Sequence, residues 1–132
     1  MKIIADTNLL LRLVVQDNQS QECAAAQALK SAELVAVSIH ALCELAWVME
    51  RQYRTTKQEV AAALRLIADI SNVVMNRPAV EAGLRLLDAG GDFADGVIAF
   101  DGQWLGGEAF VSFDRKAVRL LQELGSEAVL LG

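Results

Sequence analysis

A chain of 132 residues with a formal net charge of -5 is long enough for one ordinary domain. Such a domain buries roughly two-thirds of its unfolded surface and needs no disulfide staple. The acidic balance argues against a passive nucleic-acid binder, which carries excess Lys and Arg to neutralise phosphates. It does not exclude a nuclease, because divalent cations held by acids invert the local field. Abundant Ala, Leu and Val with the single proline Pro78 favour a compact helical or α/β protein over a disordered or all-β one. Charges such as Arg12 within Leu9 to Val15 interrupt the apolar stretches, so no membrane span is expected. With no secretory h-region at the start, the expected location is the cytoplasm.

In chain order, Lys2-Ile3-Ile4-Ala5 reads as a buried strand covered on both faces, ending abruptly at Asp6. Leu9, Leu10, Leu13 and Val14 follow at helical spacing, and a second helix is predicted from about Ser20 to Lys30, carrying Cys23, Ala24, Gln27 and Ala28. Leu34 to Val37 is a second strand. Ser38 then stands as the N-cap of a long helix, Ile39 to Gln52. Thr56 and Glu59 form a capping box for a helix to about Ile70. Asn72 to Met75 is a third strand. A helix starting at Asn76 to Pro78 is stopped by Gly90-Gly91, and Asp92 caps another that ends at Gly106-Gly107. Ala109 to Ser112, a helix from Arg115 to Leu124 and a strand from Ala128 to Leu131 complete the chain.

Strands alternating with helices over short connections argue for an α/β domain with a parallel sheet. Neither G-x-G-x-x-G nor G-x-x-x-x-G-K-[ST] occurs, which argues against a nucleotide-binding enzyme of those classes. Cys23 and Cys43 lie in apolar helical segments and, with His40, show no zinc spacing. They are expected to be reduced core thiols.

Four acids stand out against this background. Asp6 and Asp114 terminate strands, where parallel sheets place their chemistry; each would also serve as an ordinary helix cap. Glu44 sits among Ala41-Leu42-Cys43 and Leu45-Ala46-Trp47, and a glutamate is rarely buried unless paired or bound to a metal. Its alternative is a solvent-facing position near Arg51 or His40. Asp95 lies one turn inside a helix whose dipole favours negative charge. Convergence of the four is the simpler account. Two carboxylates about 4 Å apart repel by roughly 4 kcal/mol at an effective dielectric near 20, so a cluster would persist only around a cation. Oxygen ligands without His or Cys point to Mg²⁺ or Mn²⁺.

Asp6-Thr7-Asn8, the Ser38 to Met49 stretch with Glu44, Asp92-Phe93-Ala94-Asp95 and Ser112-Phe113-Asp114-Arg115-Lys116 resemble the PIN-domain ribonucleases of the VapC toxin type, in the same order and over nearly the whole chain. The resemblance implies a single PIN domain over residues 1–132. Its fold would be a three-layer α/β/α arrangement around a parallel five-stranded sheet of order 3-2-1-4-5, with strands one and four adjacent. By matching positions it implies Asp6 and Asp95 as metal ligands, Glu44 and Asp114 as ligands directly or through water, and Asn8 and Ser112 as hydrogen-bonding residues behind them. It further implies Mg²⁺ (or Mn²⁺) as cofactor, RNA as substrate, a homodimer and a small antitoxin as partner. Ser112 replaces a common threonine and keeps the hydroxyl. Gly96 replaces the usual alanine, which is expected to loosen its helix by up to about 1 kcal/mol. Asp92 is read as a cap, and Asp101 falls on another helix face than Asp95.

The expected activity is therefore metal-dependent RNA hydrolysis. One alternative is an inactive PIN-like module that binds RNA or a partner. Another is a phosphatase with Asp6 as nucleophile, but that chemistry wants a second Asp where Asn8 stands. Arg51, Arg54 and Lys57, and separately Arg115, Lys116 and Arg119, are candidate phosphate contacts or merely solvated helix faces. Trp47 is expected in the core, Trp104 in the core or on a dimer or antitoxin surface, and His40 at a helix start rather than as a base.

Overall fold

A computed structural model describes all of residues 1–132. The elements in chain order are β1 (Lys2–Ala5), α1 (Thr7–Val14), α2 (Gln19–Ser31), β2 (Leu34–Val37), α3 (Ile39–Gln52), α4 (Lys57–Ala68) and β3 (Val73–Val74). They continue with α5 (Arg77–Asp88), α6 (Phe93–Trp104), β4 (Phe110–Ser112), α7 (Arg115–Glu123) and β5 (Ala128–Leu130). The chain divides into two compact units, Met1–Asn76 and Arg77–Gly132. No helix is long and apolar enough to cross a membrane.

In the first unit β1, β2 and β3 form a parallel sheet in that order, with Ile3 opposite Val35, Ala5 opposite Val37 and Val35 opposite Val73. Side chains alternate between the faces of a sheet, and this alternation sorts the strands. Ala5, Val35, Val37 and Val73 are buried on one face, whereas Ile4 and Val74 on the other are exposed, Ile4 by 84%. The expected strand covered on both faces is thus corrected for β1: its isoleucines are the half-buried Ile3 and the exposed Ile4. On α2 the buried residues are Ala25 and Leu29 and Cys23 is exposed, so the helix presents a different face from the one expected, and Cys23 is a free thiol outside the core. Cys43 is half-buried and forms no disulfide.

The helix ends of this unit follow from side-chain caps. Asn18 and Ser38 accept from the N–H groups of Gln21 and Ala41 at 3.0 and 3.1 Å, satisfying donors that a helix start leaves without partners. Thr56 and Glu59 complete the capping box at α4. The Thr56 hydroxyl and backbone N–H hold the Glu59 carboxyl below its ordinary pKa. That contribution to stability is therefore fully present above the ordinary carboxylate range and is lost as pH falls through the lowered value. Between α3 and α4, Arg54 has φ 52°, a left-handed conformation that costs a non-glycine residue roughly 1–2 kcal/mol. The chain turns there with the Thr55 N–H donating to the Met49 carbonyl at 3.0 Å.

In the second unit β4 and β5 pair in parallel, with Ser112 opposite Leu130. Leu86, Val118, Leu120, Leu121 and Ala128 form its core, with Ala99, Phe110 and Leu130 packed against them. Helix α7 buries Ala117, Val118, Leu120 and Leu121, the 3.6-residue stripe of an amphipathic helix. Gly90, at φ 99°, closes α5 as its glycine predicts.

Gly96 corrects the expectation drawn from helix propensity. A Cβ placed there would lie 2.7 Å from the Ala82 carbonyl oxygen and 2.9 Å from the Gly83 Cα. A Cβ at Gly83 would lie 2.6 Å from the Phe93 ring. The two glycines let α5 and α6 approach closely, and the obstacle at Gly96 is backbone. Gly96→Ala should therefore destabilise the protein by about 1–3 kcal/mol, the usual cost of overpacking, instead of stabilising it by the roughly 1 kcal/mol that propensity alone would give. Denaturant melts of the two proteins measure the sign.

Candidate active-site acids

Asp6 is placed by the end of β1. Because β1 and β2 are parallel and Ala5 pairs with Val37, Asp6 and Ser38 leave the sheet at the same, carboxyl end. The Asp6 Oδ1 accepts the Leu9 N–H at 2.9 Å and caps α1, and the residue is exposed, as is Asn8 in the first turn. Ser38 starts α3 at that same sheet end, and Glu44 lies six residues on, about 9 Å along the axis. Glu44 is exposed, so its apolar sequence neighbours occupy the other face: Ala41, Leu42, Leu45, Ala46 and Met49 are buried.

The exposed face of α3 carries His40, Glu44, Trp47 and Arg51. Trp47 is 54% exposed, contrary to its expected core position, and the Arg51 Cζ lies over its ring, 5.7 Å from the centroid. The solvent-facing alternative for Glu44, near His40 and Arg51, is the one the structure shows; sequence reasoning missed only that Trp47 joins them, although the signal was present. Spacings of four, three and four residues put all four side chains on one stripe of a helix.

In the second unit Asp114 lies two residues beyond β4. Its Oδ1 accepts the Ala117 N–H at 3.0 Å and caps α7, while the Ser112 Oγ accepts the Asp114 N–H at 2.9 Å. The hydroxyl assigned to Ser112 thus fixes the backbone that carries Asp114. Asp95 is half-buried in the first turn of α6. Asp92 occupies the N-cap position but makes no side-chain cap bond, so the cap assigned to it is positional only. Asp101 is half-buried farther along α6. Lys57 reaches Glu50 at 2.8 Å and Arg119 reaches Glu123 at 3.6 Å, so both of these cations have carboxylate partners within their own basic stretches.

Within neither unit do three or more His, Cys, Asp or Glu side chains gather as a metal-holding group. The donor chemistry nonetheless suits a hard divalent cation. Asp6 and Asp114 each give one oxygen to a single backbone N–H, and a carboxylate with two oxygens and about four lone-pair sites retains capacity for further bonds. Oxygen-only ligation is the preference of Mg²⁺ and Mn²⁺.

No match was found among curated proteins. The PIN domain family matches residues 3–121, a span that contains Asp6, Glu44, Asp95 and Asp114, and the chain belongs to this family, whose members are generally metal-dependent nucleases.

Proposed function

We propose that the chain is a metal-dependent endoribonuclease acting as the toxin of a toxin-antitoxin pair. The observation that carries the nuclease reading is the family match over all four acids, two of which, Asp6 and Asp114, follow the carboxyl ends of parallel strands. The two units would make one PIN domain with sheet order 3-2-1-4-5. Asp6 and Asp95 would hold Mg²⁺ or Mn²⁺, with Glu44 and Asp114 holding it directly or through water. When bound, such an ion polarises the scissile phosphate and lowers the pKa of a water. Asp114 would orient the attacking water, and Ser112 holds the backbone that carries it; Asn8, in the first turn of α1, would hydrogen-bond behind Asp6. Cleavage of single-stranded RNA, followed with and without divalent metal, tests this reading.

The same reading makes the protein a cytoplasmic homodimer restrained by a small antitoxin. Trp104 and Leu105 are 78% and 89% exposed at the end of α6, with Trp104 tilted against Phe100 at 6.4 Å between ring centroids. Contiguous apolar surface of this kind favours association. Light scattering at tens of micromolar should give a dimer mass without antitoxin, and a monomer mass would count against it.

A further inference from the structure

We infer that Trp47 and Arg51 form a stacking platform for a base of single-stranded RNA; this deepens the ribonuclease reading and rests on it. Helix α3 spends its apolar residues on the inner face, so burial does not explain an indole that is 54% exposed. Its neighbours on the outer stripe are His40, Glu44 and Arg51. An indole beside an arginine is also common in seams between protein chains, but such seams are depleted in acidic residues, and this stripe carries the exposed Glu44. A nucleotide, with a π-face and an adjacent phosphate, matches an aromatic ring next to a guanidinium.

Charge and placement point the same way. In a chain of net charge -5, Arg51 and Arg54 are both exposed at the end of α3. Arg54 keeps its long cationic side chain in a left-handed turn, at φ 52°, where glycine would fit without strain. Trp47 stands one helical turn beyond Glu44, and Arg51 two turns beyond it. A base on Trp47 would have the Arg51 guanidinium beside it for its phosphate, with Glu44 one turn away on the other side. Stacking of this kind is tolerant of sequence, so the platform sets the register of the strand and does not select the base.

The test measures affinity for a labelled ten-nucleotide oligouridylate in EDTA, where binding is read without cleavage. Trp47→Ala should weaken binding by about 5- to 150-fold, the range for loss of one stacked base, and Trp47→Phe should recover most of it. Arg51→Gln should reduce the salt slope by about 0.7, one single-strand phosphate contact. On an abasic oligomer of the same length, wild type and Trp47→Ala should bind alike. Equal binding of oligouridylate by wild type and Trp47→Ala, with wild-type cleavage intact in Mg²⁺, would overturn the platform and leave the nuclease reading standing. Conversion of a dimer to a monomer by Trp47→Ala would overturn it in favour of a second copy on this face. A wild type that neither binds nor cleaves RNA would overturn both.

Discussion

Incubated with single-stranded RNA, the purified chain should cut it in Mg²⁺ or Mn²⁺ and cease to do so in EDTA. The expectation follows from which groups are available to activate water. The chain has one histidine, His40, exposed in the first turn of α3, and the candidate acids are carboxylates in solvent or half-buried. Bulk water is a very weak acid, so the chemistry needs a group that lowers the pKa of the water itself, as a bound divalent cation does. A histidine mechanism predicts the reverse pattern: activity that survives chelation and vanishes in His40→Gln. Under the carboxylate mechanism His40→Gln leaves cleavage nearly unchanged, whereas Asp6→Asn abolishes it. Undiminished cleavage in EDTA by carefully decontaminated protein would refute the metal mechanism. RNA binding without cleavage in any metal would favour a PIN domain that only binds.

Local signals in the sequence locate most of the elements, and the faces they present depend on packing that no local signal reports. Helix α3 and strand β2 have the expected bounds, because Ser38 separates a run of alternating burial from one of helical periodicity. The capping box at Thr56 and Glu59 is likewise local and forms as read. By contrast β3 has two residues, Val73 and Val74, where four were expected, since the length of a strand is set by its pairing with β2. Ile4, Cys23 and Trp47 are apolar residues whose exposure depends on what packs beside them. Gly96 was legible as a poor helix former and not as a contact point, because the Ala82 carbonyl oxygen that excludes a side chain comes from another helix. The site divides in the same way: strand ends place Asp6 and Asp114, whereas Glu44 and Asp95 acquire a functional reading only through the family pattern.

Asp95→Asn should stabilise the metal-free protein while abolishing both RNA cleavage and stabilisation by Mg²⁺. The substitution removes one negative charge and keeps the shape of the side chain. If Asp95 shares a site with other carboxylates, the metal-free protein carries their repulsion, up to roughly 4 kcal/mol for a pair about 4 Å apart at an effective dielectric near 20, and loses part of it in the variant. A gain of about 1 kcal/mol would raise the melting temperature by roughly 4 °C in a domain of this size. The same loss of charge removes a metal ligand. Because even residues that merely orient ligands are worth about 10- to 100-fold, cleavage should fall by more than that, and Mg²⁺ should no longer raise the melting temperature as preferential binding to the folded state requires. The competing role is local. Asp95 lies in the first turn of α6, where a carboxylate complements the helix dipole, and losing that contribution would cost about 0.3–1 kcal/mol and leave cleavage intact. The two roles predict opposite shifts in the metal-free melt. Thermal melts of both proteins in EDTA and in Mg²⁺, alongside the cleavage assay, therefore separate them: a destabilised but active Asp95→Asn protein would remove Asp95 from the site.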